Sequence, residues 1–308
     1  MHSIVNHEDA ADFHRALAQF NVDRLAIGKP CAEWAGQLQT EYAWRHSEGV
    51  YLESLRAAVV PLMPSVMPSG DAFVAWFSAL ETTGPGQQHR LFDWLAQTAT
   101  LPQLRWFLTQ EAAGEAGFDD LLALTLVKLP VRPKLECARN FWDEMGHGKA
   151  AAMHGGMLER MVSGLDLQPS IASTVREALA LSNTMIGLAS NRRYAYQSIG
   201  ALGAVELTAP GRVKKVSMAM QRLGLDRKMR TYFDLHAAVD VSHSAAWIRE
   251  VIRPLIDADP GCARLIAEGA LMRLRCGEEC FERYSRKLQV SADTCGPAVL
   301  TPVCAGFA

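Results

Sequence analysis

Residues that favour helix dominate almost every segment of this 308-residue chain, and Gly and Pro cluster at separated points between those segments. Runs that alternate apolar and polar residues, as half-buried strands do, are absent from the sequence. The chain is also long enough to bury a large core. These patterns predict an all-α protein.

Net charge and the arrangement of the cysteines limit which binding partners and which cellular compartment we expect. A net charge of -2 at pH 7 gives no electrostatic reason to expect a nucleic acid or an anionic membrane surface. The first residues lack the apolar core of a signal peptide, and no run approaches the length of a membrane span. The seven cysteines are scattered without the paired spacing of a zinc site. We therefore expect a cytoplasmic protein with reduced thiols.

One stretch, residues 232–247, carries two imidazoles and a carboxylate on what reads as a single helix without Gly or Pro. At about 100° per residue, His236, Asp240 and His243 fall within an arc of roughly 60°. Imidazole and carboxylate on an otherwise apolar helix are typical ligands of a transition metal, with iron a leading candidate. The alternative is a solvated helix face. His7, His14, His46 and His89 have no partners at ligand spacing and are expected at the surface.

A long helix is predicted over residues 103–129, where it ends before Pro130. Glu111 and Glu115 lie one turn apart on it among Ala and Gly residues, which would let another helix approach closely. A buried carboxylate needs a cation or hydrogen-bond donors to stay charged. An exposed acidic stripe is the alternative interpretation.

Glu144 has two histidines that could share a site with it. His147 has the i, i+3 spacing that helix-bundle di-iron sites use. His154 would lie about 15 Å further along a straight helix, so it could join Glu144 only if Gly146 and Gly148 bend or break that helix. Spacing alone leaves both open.

A third candidate helix, residues 170–204, has a polar midsection with Arg192, Arg193, Tyr194 and Tyr196. Glu206 follows near its end, before residues 208–211 are expected to break the chain at Pro210. Carboxylates and imidazoles thus come from four segments of a helical chain, as in carboxylate-bridged di-iron sites.

Residues from about 100 to 285 resemble the haem-oxygenase-like diiron oxidases, also described as iron-containing redox enzymes. Three features carry the resemblance. One is the segment from Asn140 to His154, in which His154 follows Glu144 by ten residues. Another is the run from Gly200 to Glu206, and the third is His236-x3-Asp240-x2-His243.

The resemblance implies a haem-oxygenase-like helical bundle that binds two ferrous ions. It implies these ligands: Glu144, His154, Glu206, His236, Asp240 and His243. It also favours His154 over His147, and adds Glu115 as an extra carboxylate, with Glu111 the alternative. We expect residues 1–90 to form a helical segment packed on a core of residues 91–290, followed by a loosely ordered tail, residues 291–308.

The implied function is oxidation of a small molecule with dioxygen as co-substrate, such as N-oxygenation of an amine or C–C cleavage of an amino or fatty acid. The polar groups of residues 192–196 could hold an anionic group of that substrate, or could form an exposed polar patch. An external electron donor and a homodimer are compatible with this interpretation.

Two other classes of function stay open from the sequence. A haem-oxygenase-like bundle could act without metal or bind haem, with His236 or His243 as a haem ligand or proton-transfer group. A helical scaffold protein with buried polar residues is the third class. Metal content separates all three.

Overall fold

The computed structural model describes residues 7–290, with side chains from residue 10 onward, and every regular element within that range is helical. The all-α prediction is therefore confirmed. The helices are α1 (His7–Leu25), α2 (Trp34–Val59), α3 (Gly70–Thr83), α4 (Leu91–Gln97), α5 (Leu101–Gly114), α6 (Phe118–Thr125), α7 (Val131–Glu144), α8 (His154–Gly164), α9 (Arg176–Ser190), α10 (Ala195–Arg222), α11 (Arg227–Ala246), α12 (Arg253–Ala258) and α13 (Cys262–Leu288). A π-helical turn, Trp247–Ile252, joins α11 to α12.

The centre of the bundle is α10, which packs along both α11 and α13. Two glycines allow the backbones of α10 and α13 to touch. A Cβ atom on Gly200 would lie 1.9 Å from the Ile266 carbonyl oxygen, and one on Gly269 would lie 1.8 Å from the Gln197 carbonyl oxygen. Only glycine fits such a crossing, so the positions of Gly200 and Gly269 determine where these two helices meet.

The N-terminal helices contact the centre of the molecule, where α1 packs on α9 and α2 packs on α13. His14 is buried in the first of these contacts, and its carbonyl oxygen accepts a hydrogen bond of 3.0 Å from Asn183 Nδ2. Burial lowers the pKa of His14 to about 4. The expectation of a surface position for His14 was wrong, because a histidine without ligand spacing can still lie on the face that α1 buries.

Two predicted helix boundaries also differ from the structure. The helix expected over residues 103–129 is divided into α5 and α6 at Gly117, whose φ of 73° is readily adopted by glycine. The break expected at Pro210 does not occur, since α10 continues through it. Proline has no N–H, so the Glu206 carbonyl loses its usual i+4 helical donor there.

The expected tail, residues 291–308, lies outside the described residues. Among residues 7–290, none of the helices combines the length and apolar character that a bilayer crossing requires. The five cysteines of this range are free thiols.

Candidate metal centre

The connection between α7 and α8 determines which histidine lies beside Glu144. Three successive residues, Gly146, His147 and Gly148, have positive φ angles of 59°, 53° and 78°. The helix therefore ends at Glu144, and His154 begins α8 with its Nδ1 2.8 Å from Glu144 Oε2. His147 points outward, with 66% of its side chain exposed and its Nε2 3.4 Å from Asp143 Oδ1.

Six of the predicted ligands form two groups of three. In each group, one ligand atom from every residue lies within 4.8 Å of the others. The first group is Glu144, His154 and His236, and the second is Glu206, Asp240 and His243. Helix α11 contributes His236 to the first group and Asp240 and His243 to the second. All six are buried except His236, which is partly exposed.

The two histidines of α11 are each held by a hydrogen bond from one ring nitrogen. His236 Nδ1 lies 2.7 Å from the Tyr232 carbonyl oxygen, which can only accept, so this nitrogen carries the proton. His243 Nε2 lies 3.1 Å from Asp143 Oδ2 and donates to it. These bonds leave His236 Nε2 and His243 Nδ1 free to bind a metal ion.

A residue outside the second group, Asn140, orients one of its carboxylates. Asn140 Nδ2 donates to Glu206 Oε1 over 2.5 Å, while Glu206 Oε2 lies 3.6 Å from His243 Nδ1. That ring nitrogen is buried and has no hydrogen bond, and the same holds for His154 Nδ1, whose 2.8 Å approach to Glu144 lacks hydrogen-bond geometry. Buried polar atoms without partners are costly, and a cation bound at each group would satisfy the nitrogen that belongs to it.

The electrostatics of the site also favour a cation. Burial and the nearby Glu206 carboxylate raise the pKa of Asp240 to about 8. Burial likewise raises the pKa of Glu144. For His243, burial acts to lower the pKa, but the Glu206 and Asp143 carboxylates outweigh it and raise the pKa to about 9. Crowded carboxylates with imidazoles are a donor set that suits iron, so the residues present fit this metal.

A cavity of about 100 Å³ adjoins both groups and is hereafter the ligand cavity. Glu144, His154, Glu206, His236 and Asp240 line it, and so does Glu115. Glu115 is exposed by surface area, yet the protein packed around its carboxyl group desolvates it. Burial and the Glu144 carboxylate together raise its pKa to about 7.

Glu111 lies one helical turn before Glu115 and borders a different cavity, so the structure brings Glu115 rather than Glu111 to the cavity beside the two candidate groups. That Glu115 binds metal stays a prediction.

The four residues predicted to hold a substrate anion lie elsewhere. Arg192 Nη1 donates to the carbonyl oxygen of Thr125 at 3.0 Å, while Arg193 and Tyr194 both donate to Glu53 Oε1. Neither these three nor Tyr196 lines the ligand cavity. Tyr194 precedes Glu206 by twelve residues, about 18 Å along α10. Their position therefore does not support a role in substrate binding.

Three residues that orient the site were not identified as such from the sequence: Asn140, Asp143 and Tyr232. Asn140 precedes Glu144 by four residues, and Tyr232 precedes His236 by the same interval, so each shares a helix face with a predicted ligand. That spacing was an available signal. The role of Asp143 depends on the packing of α7 against the π-helical turn that follows α11, which spacing cannot show.

Known proteins share this fold. Two crystal structures of a CADD-like protein of unknown function from Nostoc punctiforme PCC 73102, at 2.00 Å and 1.35 Å resolution, superpose with TM-scores of 0.54 and 0.53. Sequence identity is 15% and 16%, over 71% of this chain and 97% and 95% of theirs. This likeness shows a common fold. No curated protein matches the chain.

The family described as iron-containing redox enzyme matches residues 105–278, more than half of the chain. The six residues of the two candidate metal-binding groups all lie within that range. The chain therefore belongs to the family of iron-containing redox enzymes.

Proposed function

We propose that this protein is a non-haem oxidase or oxygenase that uses two iron ions and dioxygen to oxidise a small molecule. The observation that carries the proposal is the meeting of two largely buried groups of three candidate ligands at one cavity. Two ferrous ions bound there would supply electrons for the reduction of dioxygen. N-oxygenation of an amine and oxidative C–C cleavage of an amino or fatty acid are the reactions proposed.

The protein's own residues prepare the site for metal. The Tyr232 carbonyl and the Asp143 carboxylate fix the tautomers of His236 and His243, so that one nitrogen of each ring is free for metal. Asn140 holds one oxygen of Glu206 and leaves the other directed at His243. Such outer hydrogen bonds reduce the reorganisation needed when metal binds.

The ligand cavity adds an apolar wall and one titratable carboxyl group, that of Glu115, to the proposed site. Leu158, Val205 and Val213 line the cavity with apolar surface, which limits the access of bulk water to the reacting groups. The pKa of Glu115, about 7, would allow its carboxyl group to bind or release a proton near neutral pH. A bound cation would lower that pKa and favour Glu115 as a further ligand.

Iron content and oxygen consumption test this proposal. Protein loaded anaerobically with ferrous iron should hold about two irons per chain and consume oxygen when air is admitted. A His243→Ala variant should lose iron at one position while its helical circular dichroism is unchanged. His147→Ala, on the exposed histidine beside Asp143, is the matched control and should keep both irons.

The haem-binding and metal-free alternatives predict different results. Stoichiometric haem without non-haem iron would contradict the proposal, and so would two irons in the His243→Ala variant.

A further inference from the structure

A second cavity of about 130 Å³ adjoins the ligand cavity, and six residues, Glu115 and Tyr232 among them, border both. We call it the arginine cavity, because Arg212 of α10 and Arg273 of α13 are in its wall. The rest of the wall is largely apolar and includes Phe92, Leu108 and Val216. Each of the two cavities has room for on the order of ten water molecules.

The two guanidinium groups lack the partners that arginines normally have inside a protein. In the part of the chain that the structure describes, neither makes a hydrogen bond or an ion pair, although Arg212 lies over the Phe281 ring at 5.5 Å. Burial and the charge of Arg273 lower the pKa of Arg212 to about 9. Both side chains are partly exposed, so an anion that entered the cavity could reach the two guanidinium groups and supply the partner that they lack.

The carboxylates nearby do not supply that anion. Glu111 and Glu115 border the arginine cavity, but neither is ion-paired with a guanidinium. Glu115 lies at the boundary with the ligand cavity, where Glu144 is its strongest charged neighbour. Burial raises the pKa of Glu111 even though both arginines act to lower it. The two guanidinium groups therefore share the cavity wall with two carboxyl groups, and neither carboxyl group forms an ion pair with them.

We propose that Arg212 and Arg273 bind the carboxylate of the substrate, so that the opposite end of the molecule enters the ligand cavity beside the two metal-binding groups. The proposal deepens the proposed function and rests on it for the identity of the reacting end. The substrate would be a small organic acid with an apolar middle. Arg212 follows Glu206 by six residues, about 9 Å along α10, which separates the two ends.

A carboxylate fits better than a larger or more highly charged oxyanion. A guanidinium pairs with a planar carboxylate through two parallel N–H···O bonds. Between the arginines and the ligand cavity, Leu158, Val205 and Val213 border both cavities and offer apolar contact to a hydrocarbon segment. Inorganic phosphate has no such segment and carries more charge into an apolar wall.

Calorimetric binding of hexanoate to the full-length protein tests the proposal, with hexanamide as the neutral probe of equal length and inorganic phosphate as a second anion. Both metal-free and anaerobic ferrous protein are titrated. Hexanoate should bind at least tenfold more tightly than hexanamide or phosphate in both forms. Arg273→Gln and Arg212→Gln should each weaken hexanoate binding at least tenfold and leave hexanamide binding unchanged.

Two further variants make the test independent of misfolding. Glu111→Gln removes the competing carboxyl group and should tighten hexanoate binding about threefold to tenfold, a gain that a damaged fold would not produce. Arg275→Gln alters an exposed arginine two residues from Arg273, paired with Glu278 and Glu279, and should leave hexanoate binding unchanged.

The outcomes separate this proposal from the iron chemistry. Hexanoate binding that needs iron and ignores both arginines would place the acid group at the metal and overturn the proposal. Equal affinity for hexanoate and hexanamide, tighter binding of phosphate, or no binding of any probe would also overturn it. Arg273→Gln should keep two irons per chain. If iron fails to bind the unaltered protein, the proposed function fails while the metal-free titration still decides the arginine site.

Discussion

The partly exposed carboxylate of Asp143 orients the buried imidazole of His243. Its Oδ2 accepts the Nε2 proton of His243 at 3.1 Å, and its Oδ1 lies 3.4 Å from Nε2 of the exposed His147. The first contact fixes which nitrogen of His243 faces Glu206. Carboxylates that hold a metal-binding histidine in this way increase the basicity of the ring and its affinity for metal.

We expect Asp143→Ala to weaken metal binding at the Glu206, Asp240 and His243 group by roughly tenfold to a hundredfold, because His243 would lose its fixed tautomer. Titration of the anaerobic protein with ferrous iron measures the affinity. The control is His147→Ala, which removes the other neighbour of Asp143 at the surface. Equal affinities in Asp143→Ala and unaltered protein would show that this hydrogen bond has no orienting role.

The relative positions of candidate ligands on one helix can be read from the sequence, whereas contacts between residues of different helices cannot. The relative positions of His236, Asp240 and His243 follow from the 3.6-residue repeat. Arg212 and Arg273 belong to helices whose contact cannot be read from spacing, so the sequence does not indicate that they share a cavity. Conversely, Arg192 and Arg193 had a polar pattern but lie against Thr125 and Glu53.

Among the elements, the α7–α8 connection has the largest effect on the site. A continuous helix would have moved His154 about 15 Å from Glu144. Gly146 and Gly148 predict from the sequence that the helix weakens here, but they do not predict the direction in which the chain turns. Gly146 also packs tightly, since a Cβ atom there would lie 2.4 Å from the carbonyl carbon of Ala152.

Gly146→Ala should therefore displace His154 and remove iron from the group of Glu144, His154 and His236. The added Cβ meets backbone atoms, and the φ of 59° costs an L-residue roughly 1–2 kcal/mol. Iron analysis should give about one iron per chain instead of two. Gly155→Ala, where a Cβ atom would meet nothing within 4 Å, should retain both. Full iron occupancy in Gly146→Ala would refute this role of the turn.

For the whole molecule, stability depends on the close crossing of α10 and α13. Gly200 and Gly269 place each backbone against the other, and neither helix can withdraw without exposing Ile266, Ala270 and their neighbours in the core. Overpacking a rigid contact between backbones is costly, because no flexible side chain can move aside.

Gly200→Ala should lower the free energy of unfolding by about 1–3 kcal/mol or more, measured by urea denaturation. Gly211 lies on the same helix, is exposed, and would place a Cβ atom in open space. Gly211→Ala should instead raise the free energy of unfolding by up to about 1 kcal/mol through helix propensity. The same sign of change in both variants would contradict a tight crossing.

The crossing of α10 and α13 also bears on selectivity. Gly200 precedes Glu206 and Arg212 on α10, and Gly269 lies one turn before Arg273 on α13, so the two helices that meet there carry both ends of the proposed binding site. A rigid spacing between those ends means that the protein would distinguish organic acids by length. Across a homologous series of straight-chain acids, affinity should pass through a maximum instead of rising with each added methylene.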